Sequence, residues 1–294
     1  MNKFYLIILI VPFLFSCSEP TPMFDAENSF KILEAQCELG PRFPGSDGIQ
    51  LCREYIINSL DGLGIKTELQ EFRATPNSVE RSGVNILASI YPERSRRILL
   101  AAHYDTRPWA DKENDPALHN QPILGANDGA SGVAVLLEIA RVASLKAPVE
   151  FGVDFVFFDL EDSGSYGNNE SWCLGSSYYA QNYSGDKPEK AIVIDMIGDK
   201  DLSINMEYYS YHNSPGLVRE VWEAANFYGF SQYNTKITNA IYDDHYPLII
   251  AGFEAIDIID FDYPQWHTLE DTPENCSATS LQAVGQTLLK VIYQ

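Results

Sequence analysis

The segment VDFVFFDLED, residues 153–162, decides the fold, because it is almost wholly apolar until it ends in acids. Strands that are apolar on both faces are typical of the centre of a parallel sheet that helices cover. Two further apolar runs, residues 98–102 and 191–194, also end at a polar group, His103 in the first and Asp195 in the second. The carboxyl ends of parallel strands form the ligand-binding crevice of an open α/β sheet, so we expect these polar groups to meet there.

Outward from this segment, strand and helix patterns alternate from residue 98 onward, which predicts an α/β fold in three layers, with a mostly parallel central sheet flanked by helices. The predicted strands are residues 65–72, 84–90, 97–102, 153–160, 191–197 and 255–260. The predicted helices are residues 25–39, 46–60, 129–144, 215–228, 247–251 and 279–292. Residues 106–124 are predicted to be a functional loop, and residues 161–174 another irregular loop. No linker divides residues 25–294, which we therefore take as a single catalytic domain.

The N-terminus has the pattern of an export signal. Residues 1–16 are predicted to be a signal peptide, because Lys3 precedes an apolar run that is too short for a comfortable transmembrane helix. Ser16-Cys17 resembles a bacterial lipoprotein box, although an ordinary signal peptide with an incidental cysteine is the alternative. In the lipoprotein interpretation residues 17–24 are the lipidated cysteine and a tether. The protein would then be exported, held in the periplasm or at the cell surface, and attached to the membrane only by its lipid.

Charge and cysteine content limit the partners of this chain. Its 294 residues carry a formal net charge of −21 without a basic stripe, which argues against nucleic-acid binding. We expect a monomer. An exported protein can form disulfides, so Cys37 and Cys52 are close enough in sequence to pair, but buried free thiols are equally compatible. No cysteine motif has metal-binding spacing, and we expect no catalytic role for the remaining cysteines, which also include Cys173 and Cys276.

Glu161-Asp162 is the first candidate for chemistry. Successive residues of an extended chain point to opposite sides, so one acid can bind a metal while the other serves as a general base. A solvated strand end would be the simpler explanation of an isolated acidic pair. Asp128 lies in GANDGASG, residues 125–132, at the start of a predicted helix, where an N-cap and a metal ligand on a tight turn are compatible interpretations.

Histidines and further acids follow the other strands. His103 ends one strand, and its neighbour Asp105 would fix the tautomer of its imidazole ring. Asp195 ends another strand, where a buried carboxylate needs a metal or a hydrogen-bond donor. His267 follows Trp266, which would wall a small pocket beside a metal. Carboxylate and imidazole groups that converge with one position left open are typical of catalytic zinc.

This ordered series resembles the M28 metallopeptidase family, which includes zinc aminopeptidases and glutaminyl cyclases. The resemblance spans most of residues 25–294. It is carried by His103-Tyr104-Asp105, Asp128, Glu161-Asp162, Asp195 and His267. Three further stretches resemble the cyclase branch and its bacterial members in particular: residues 103–109 (HYDTRPW), residues 172–176 (WCLGS) and residues 243–247 (DDHYP), together with Trp266-His267-Thr268.

The resemblance implies a role for each matched residue. Asp128, Asp162 and His267 would bind one zinc ion, with Asp162 standing where the animal cyclases carry Glu. Glu161 would be the general acid and base, with Asp195 and Asp243 as its hydrogen-bonding partners, and Trp172 and Trp266 would shape the pocket. The implied reaction is a cyclotransferase reaction, in which the N-terminal glutamine of a peptide or protein becomes pyroglutamate and ammonia is released. Bound zinc would polarise the side-chain amide of that glutamine.

Two other functions remain open at this point. In a two-zinc aminopeptidase, His103 and Asp195 would bind the second ion, Asp128 would bridge both, and Glu161 would activate a water. In a non-catalytic surface lipoprotein that binds peptides or glycans, Glu161 would be dispensable, and its presence argues against this hypothesis. The Trp172 loop and residues 243–245 favour the cyclase.

Overall fold

Eight strands and eight α-helices follow one another along residues 20–294, the part of the chain that the computed structural model describes. The predicted signal peptide and Cys17 lie outside these residues. The strands are β1 (Thr67–Ala74), β2 (Arg81–Ile90), β3 (Arg97–His103), β4 (Gly152–Phe158), β5 (Lys190–Asp195), β6 (Ile204–Met206), β7 (Tyr233–Ile237) and β8 (Ala255–Ile259). The helices are α1 (Ala26–Glu38), α2 (Asp47–Asp61), α3 (Ala130–Leu145), α4 (Leu174–Asn182), α5 (Tyr208–Asn213), α6 (Pro215–Phe227), α7 (His245–Ile250) and α8 (Ala278–Ile292).

The central sheet has the strand order β1-β2-β4-β3-β5-β8. Strands β4, β3, β5 and β8 are parallel to one another, whereas β2 is antiparallel to both β1 and β4. Within this sheet β2 therefore runs against the other five strands, and the prediction of a mostly parallel sheet is confirmed. In the parallel part Leu100 lies opposite Phe155 on one side and Ile192 on the other.

Side chains of the sheet alternate between two apolar layers, as the two-residue period of a strand requires. On one face Ile98, Leu100 and Ala102 pack with α1, α2, α3, α6 and α8. On the other face Leu99 and Ala101 pack with α4 and α7. Three layers result, as predicted. All of the predicted helices are present, and Ser46 caps α2 by accepting a hydrogen bond from the Ile49 amide at 3.1 Å.

Four elements were not predicted from the sequence: α4, α5 and the small parallel pair β6–β7. The pair is short and its pattern is irregular, so a two-residue period is not visible there. The four cysteines among the described residues are free and buried, so Cys37 and Cys52 do not pair. Along residues 20–294 no helix is both long and apolar enough to span a membrane.

Candidate metal centre

A cavity of about 600 Å³ opens at the carboxyl edge of the parallel strands. The segments that follow β4 and β5, the turn that precedes α3 and the loop that follows β8 all contribute to it. The predicted site residues that line it are Asp128, Glu161, Asp162, Trp172, Asp195, Asp243, Trp266 and His267. The structure thus brings together groups that are up to 139 positions apart in the sequence, from Asp128 to His267.

Asp128, Asp162 and His267 form a buried triplet whose ligand atoms all lie within 4.8 Å of one another. Nε2 of His267 is 3.1 Å from Oδ1 of Asp162 and 3.5 Å from Oδ2 of Asp128. Oδ2 of Asp162 and Oδ2 of Asp128 are both buried without a hydrogen-bond partner in the described part of the chain. Two carboxylates and one imidazole that converge in this way fit a catalytic zinc ion, which keeps a fourth position open.

The pKa of His267 supports the same interpretation. Burial disfavours the charged imidazole, but Asp162 and Asp111 outweigh that effect and raise the pKa of His267 to about 9. These carboxylates therefore attract a proton to the place where a metal ion would neutralise them instead.

Two further carboxylates hold the backbone on which these ligands stand. Asp105 accepts hydrogen bonds from the amides of Glu161 (3.0 Å) and Asp162 (3.2 Å). Asp271 accepts hydrogen bonds from the amides of Asn127 (2.8 Å) and Asp128 (3.1 Å). Each ligand-bearing turn is thus fixed by a buried acid that accepts from two successive amides.

Asp105 supports His103 as expected, but it does so through its backbone carbonyl, which lies 3.1 Å from Nδ1 of His103. Its carboxylate, 3.7 Å from that nitrogen, holds the Glu161-Asp162 turn. Asp128, in contrast, is not the N-cap of α3, because that position belongs to Gly129 at φ +102°. A Cβ on Gly129 would lie 2.8 Å from the Asp105 carbonyl oxygen, so only glycine fits this turn.

The backbone is left-handed at four non-glycine residues in or next to the cavity lining. Leu160, with φ +60°, precedes Glu161, and Cys173, with φ +53°, follows Trp172. Met196, with φ +47°, follows Asp195, and His267 itself has φ +56°. Non-glycine residues in this region cost conformational energy and are concentrated at functional sites. Here the sharp turns direct the polar side chains out of the strand ends into the cavity.

His103 and Asp195 make direct contact with each other. Nε2 of His103 is 3.0 Å from Oδ1 of Asp195 and 3.2 Å from Oδ1 of Asp128. The three residues form a second triplet that could hold a metal ion, with Asp128 shared between the two triplets. The His103–Asp195 contact is about as short as the 3.1 Å contact between His267 and Asp162, so each triplet contains one close imidazole–carboxylate pair.

Glu161 lies beside this pair of triplets. Burial raises the pKa of Glu161 well above its usual value, and the negative charges of Asp162, Asp243 and Asp244 raise it further. The predicted influence of Asp243 is therefore present, whereas Asp195 contacts His103 instead. The Cys173 thiol donates a hydrogen bond to Oε1 of Glu161 at 3.4 Å. A buried carboxyl with elevated proton affinity is suited to both accepting and returning a proton near neutral pH.

The pocket wall is aromatic. Trp172 is parallel to the His267 ring, with an interplanar angle of 5° and a centroid distance of 6.2 Å, and Trp266 contacts the same imidazole with a centroid distance of 4.1 Å. Both tryptophans thus occupy the positions predicted for them.

Arg107 and Asp111 are functional candidates that the sequence did not single out. The buried guanidinium of Arg107 donates to the carbonyls of Asp162 (3.0 Å) and Gly164 (2.9 Å), and it lies 4.6 Å from the ring centroid of Trp172. Arg107 also donates to Asp111, which is 3.4 Å from Nδ1 of His267. One cation therefore holds two of the three candidate ligands. In the sequence, the one feature that could have pointed to Arg107 and Asp111 is their position in residues 106–124, the segment predicted to be a functional loop.

Comparison with known proteins places this geometry in context. The model of peptidase family M28 matches residues 85–292. The crystal structure of Bacteroides thetaiotaomicron glutaminyl cyclase bound to N-acetylhistamine is 37% identical, covers 94% of this chain and 99% of its own, and has a TM-score of 0.90. A structure described as a leucine aminopeptidase precursor from the same species gives the same values. The glutaminyl-peptide cyclotransferase of Gloydius blomhoffii is 24% identical over 84% of this chain and 75% of its own length.

Proposed function

The chain belongs to peptidase family M28, and from this premise we propose that it is a zinc-dependent glutaminyl-peptide cyclotransferase. Its substrates would be peptides or proteins with an N-terminal glutamine. The observation that carries the proposal is the position of the unsatisfied buried oxygens. They belong to Asp128 and Asp162, beside His267 and next to Glu161. Cyclisation needs one Lewis-acidic ion with a proton-transferring carboxyl beside it, and this triplet together with Glu161 would supply both.

Asp128, Asp162 and His267 are the residues that would hold the zinc ion. When bound, zinc supplies a Lewis acid that polarises the side-chain carbonyl of the substrate glutamine. Arg107, through Asp162 and Asp111, would keep two of these ligands oriented. Such supporting hydrogen bonds fix the geometry and basicity of metal ligands.

Glu161 would move the proton. The α-amine of the substrate attacks its own side-chain amide carbon, so a C–N bond forms within the molecule and no water is consumed. Glu161 takes a proton from that amine and returns it to the departing amide nitrogen, which leaves as ammonia when its C–N bond breaks. Because nucleophile and electrophile belong to the same residue, the pocket only has to hold a folded conformer.

The aromatic wall would select that folded conformer. Trp172 and Trp266 both contact the His267 ring and line the cavity, so the glutamine side chain would lie against their apolar faces next to the metal. An apolar enclosure also keeps water away from the reacting amide, which favours cyclisation over hydrolysis.

A two-zinc aminopeptidase is the second candidate, and one observation favours it. The triplet of His103, Asp128 and Asp195 shares Asp128 with the first triplet, as a bridged pair of metal ions requires. In that case Glu161 would accept a proton from a water molecule and not from the substrate amine.

An assay on paired peptides separates the two candidates. The purified protein is incubated with a Gln-primed and a Leu-primed peptide of otherwise identical sequence, and its zinc content is measured in parallel. We expect ammonia release from the Gln peptide alone, with one zinc per chain. Release of free leucine at two zinc ions per chain would reject the cyclase in favour of the aminopeptidase.

We also propose that the protein is an exported bacterial lipoprotein and functions as a monomer. The export signal in residues 1–16 and the Ser16-Cys17 pair support the anchor, which would leave the catalytic domain in the periplasm or at the cell surface. The four free cysteines among the described residues are compatible with the periplasm and with the cell surface, because their burial protects the thiols from oxidation.

A further inference from the structure

A second set of ligand groups lies beside the proposed zinc ligands: Glu161, Cys173 and Asp243. One ligand atom from each lies within 4.8 Å of the other two. We propose that this set is a separate metal site, which takes a thiophilic divalent cation such as Cd²⁺ or excess Zn²⁺. Filling this site would inhibit the enzyme. The inhibition rests on the proposed function of Glu161, whereas the binding of the metal does not.

The distances within the set match those around an ion. In a tetrahedral zinc site with Zn–S of about 2.3 Å and Zn–O of about 2.0 Å, a sulfur and an oxygen ligand are about 3.5 Å apart. Sγ of Cys173 is 3.4 Å from Oε1 of Glu161. A thiol hydrogen bond explains this one distance equally well, so the third member of the set decides between the two interpretations.

Asp243 is that third member. It is only 4% exposed, and its Oδ2 has no hydrogen-bond partner among the described residues. The neighbouring acids Asp244 and Asp257 are buried too, and burial together with the charge of Asp243 raises the pKa of both well above its usual value. A buried carboxylate oxygen without a donor is costly, and a cation held by Glu161, Cys173 and Asp243 would remove this cost.

Sulfur determines which ions the site takes. Cysteine selects soft and borderline metals, and its thiol releases a proton when it binds one. The proposed catalytic ligands, Asp128, Asp162 and His267, contain no sulfur. Along residues 20–294 Cys173 is the one cysteine that belongs to a set of three such ligand groups. A metal–sulfur signal therefore reports this site alone.

The test is a Cd²⁺ titration of the zinc-loaded protein, followed by the ultraviolet charge-transfer band of a cadmium–thiolate bond. We expect a band that saturates at one further equivalent, together with loss of cyclase activity. Cys173→Ser should lose the band and require roughly tenfold more Cd²⁺ for half-inhibition of its own basal rate. Cys52→Ser, another buried cysteine whose Sγ is 3.9 Å from Oε1 of Gln36, should keep both the band and the inhibition.

Three results would overturn the proposal: no band in the wild type, a band that persists in Cys173→Ser, or a full band without inhibition. Cys173→Ala serves as a second variant, and circular dichroism confirms that each variant is folded. If Cd²⁺ bound to His103 and Asp195 instead, the amount of bound metal would rise but no cadmium–thiolate band would appear, which is the first of these three results. If Gln-primed peptides are not cyclised, the spectral titration still tests the binding of the metal.

Discussion

Glu161 and Asp162 are adjacent in the chain but have different surroundings. Asp162 is directed to His267 and Asp128, while Glu161 faces Cys173 and Asp243. Leu160, in the left-handed region, and the two amides held by Asp105 set this separation. In the proposed function, a one-residue offset would thus separate the metal ligand Asp162 from the proton-transferring Glu161, and a single substitution can test this separation.

Replacing Glu161 with glutamine should abolish turnover without removing zinc. Glutamine retains the shape of the side chain but cannot accept a proton, and general acid–base catalysis contributes about 10²–10⁴-fold to rate. We expect kcat on a Gln-primed peptide to fall by at least about 10²-fold, with zinc content unchanged by metal analysis. Glu80→Gln, at an exposed position, is the matched control and should keep wild-type kcat. Near-normal turnover of Glu161→Gln would remove Glu161 from the mechanism.

The residues that the sequence revealed share one property: most of them lie where an apolar run ends, or in a turn next to such an end. Asp162 and Asp195 could be predicted in this way, because the end of an apolar run in the sequence marks the carboxyl end of a buried strand. Asp271 and Asp111 are lone acids in loops, and nothing local distinguishes them from solvated surface groups. Their importance comes from amides and rings contributed by distant segments, which only the folded chain brings to them.

At the scale of elements, long and strongly periodic segments could be predicted and short ones could not. Helix α3 is buried along most of its length and was visible as an apolar face, whereas α4 follows a left-handed Cys173 and is rich in glycine and serine. Helix α5 begins at a buried side chain, Glu207, whose five donors come from three separate segments. Tertiary contacts, more than local propensity, fix such an element.

Glu207 gives α5 a pH-dependent stability. Burial opposes its charge, but the hydrogen bond from His245 and the backbone amides outweigh this and lower the pKa of Glu207 from 4.5 to about 2. A lowered folded-state pKa stabilises the fold above the unfolded value, and this stabilisation is lost as the pH falls from about 4.5 to about 2. A shift of this size corresponds to about 3 kcal/mol.

Urea unfolding of the wild type and of Glu207→Gln should show this dependence. We expect the variant to have a free energy of unfolding about 3 kcal/mol lower at neutral pH, with a gap that narrows by more than half toward pH of about 2.5. Glu80→Gln should differ little from the wild type at any pH, because its carboxylate is exposed. If the free energies of unfolding of the wild type and Glu207→Gln differed by the same amount at neutral pH and at pH of about 2.5, the charge of Glu207 would contribute nothing to stability.

At the scale of the whole molecule, the candidate metal centre and the N-terminal segment lie at opposite ends of helix α3. The candidate metal centre lies at the amino end of α3, and Lys146 follows the other end of that helix. Nζ of Lys146 donates to the carbonyl of Pro20 at 2.9 Å. The sixteen residues of α3 span about 24 Å, so the N-terminal segment meets the fold on the side that is remote from the cavity, near the amino ends of the parallel strands.

Two contacts fix this entry point. The Phe24 amide donates to Oε1 of Gln286 at 2.9 Å, and Nε2 of Gln286 donates to the carbonyl of Pro22 at 3.1 Å. The ring of Phe24 packs on Gly285, where an added Cβ would lie 2.2 Å from the ring. A lipid at Cys17 would therefore tether the protein by the end that is remote from its cavity, and the cavity would face away from the membrane.

This orientation predicts that anchoring leaves catalysis unaffected. Full-length protein made in a bacterial host should incorporate labelled palmitate and fractionate with membranes, whereas Cys17→Ser should do neither and Ser18→Ala should behave as the wild type. The kcat/KM for a Gln-primed peptide should be the same for the lipidated protein on vesicles and for soluble Cys17→Ser, since the tether leaves from the opposite edge. Lipid labelling of Cys17→Ser would reject the anchor. A lower kcat/KM on vesicles, in a protein that is correctly lipidated, would reject the orientation instead, because it would place the cavity against the membrane.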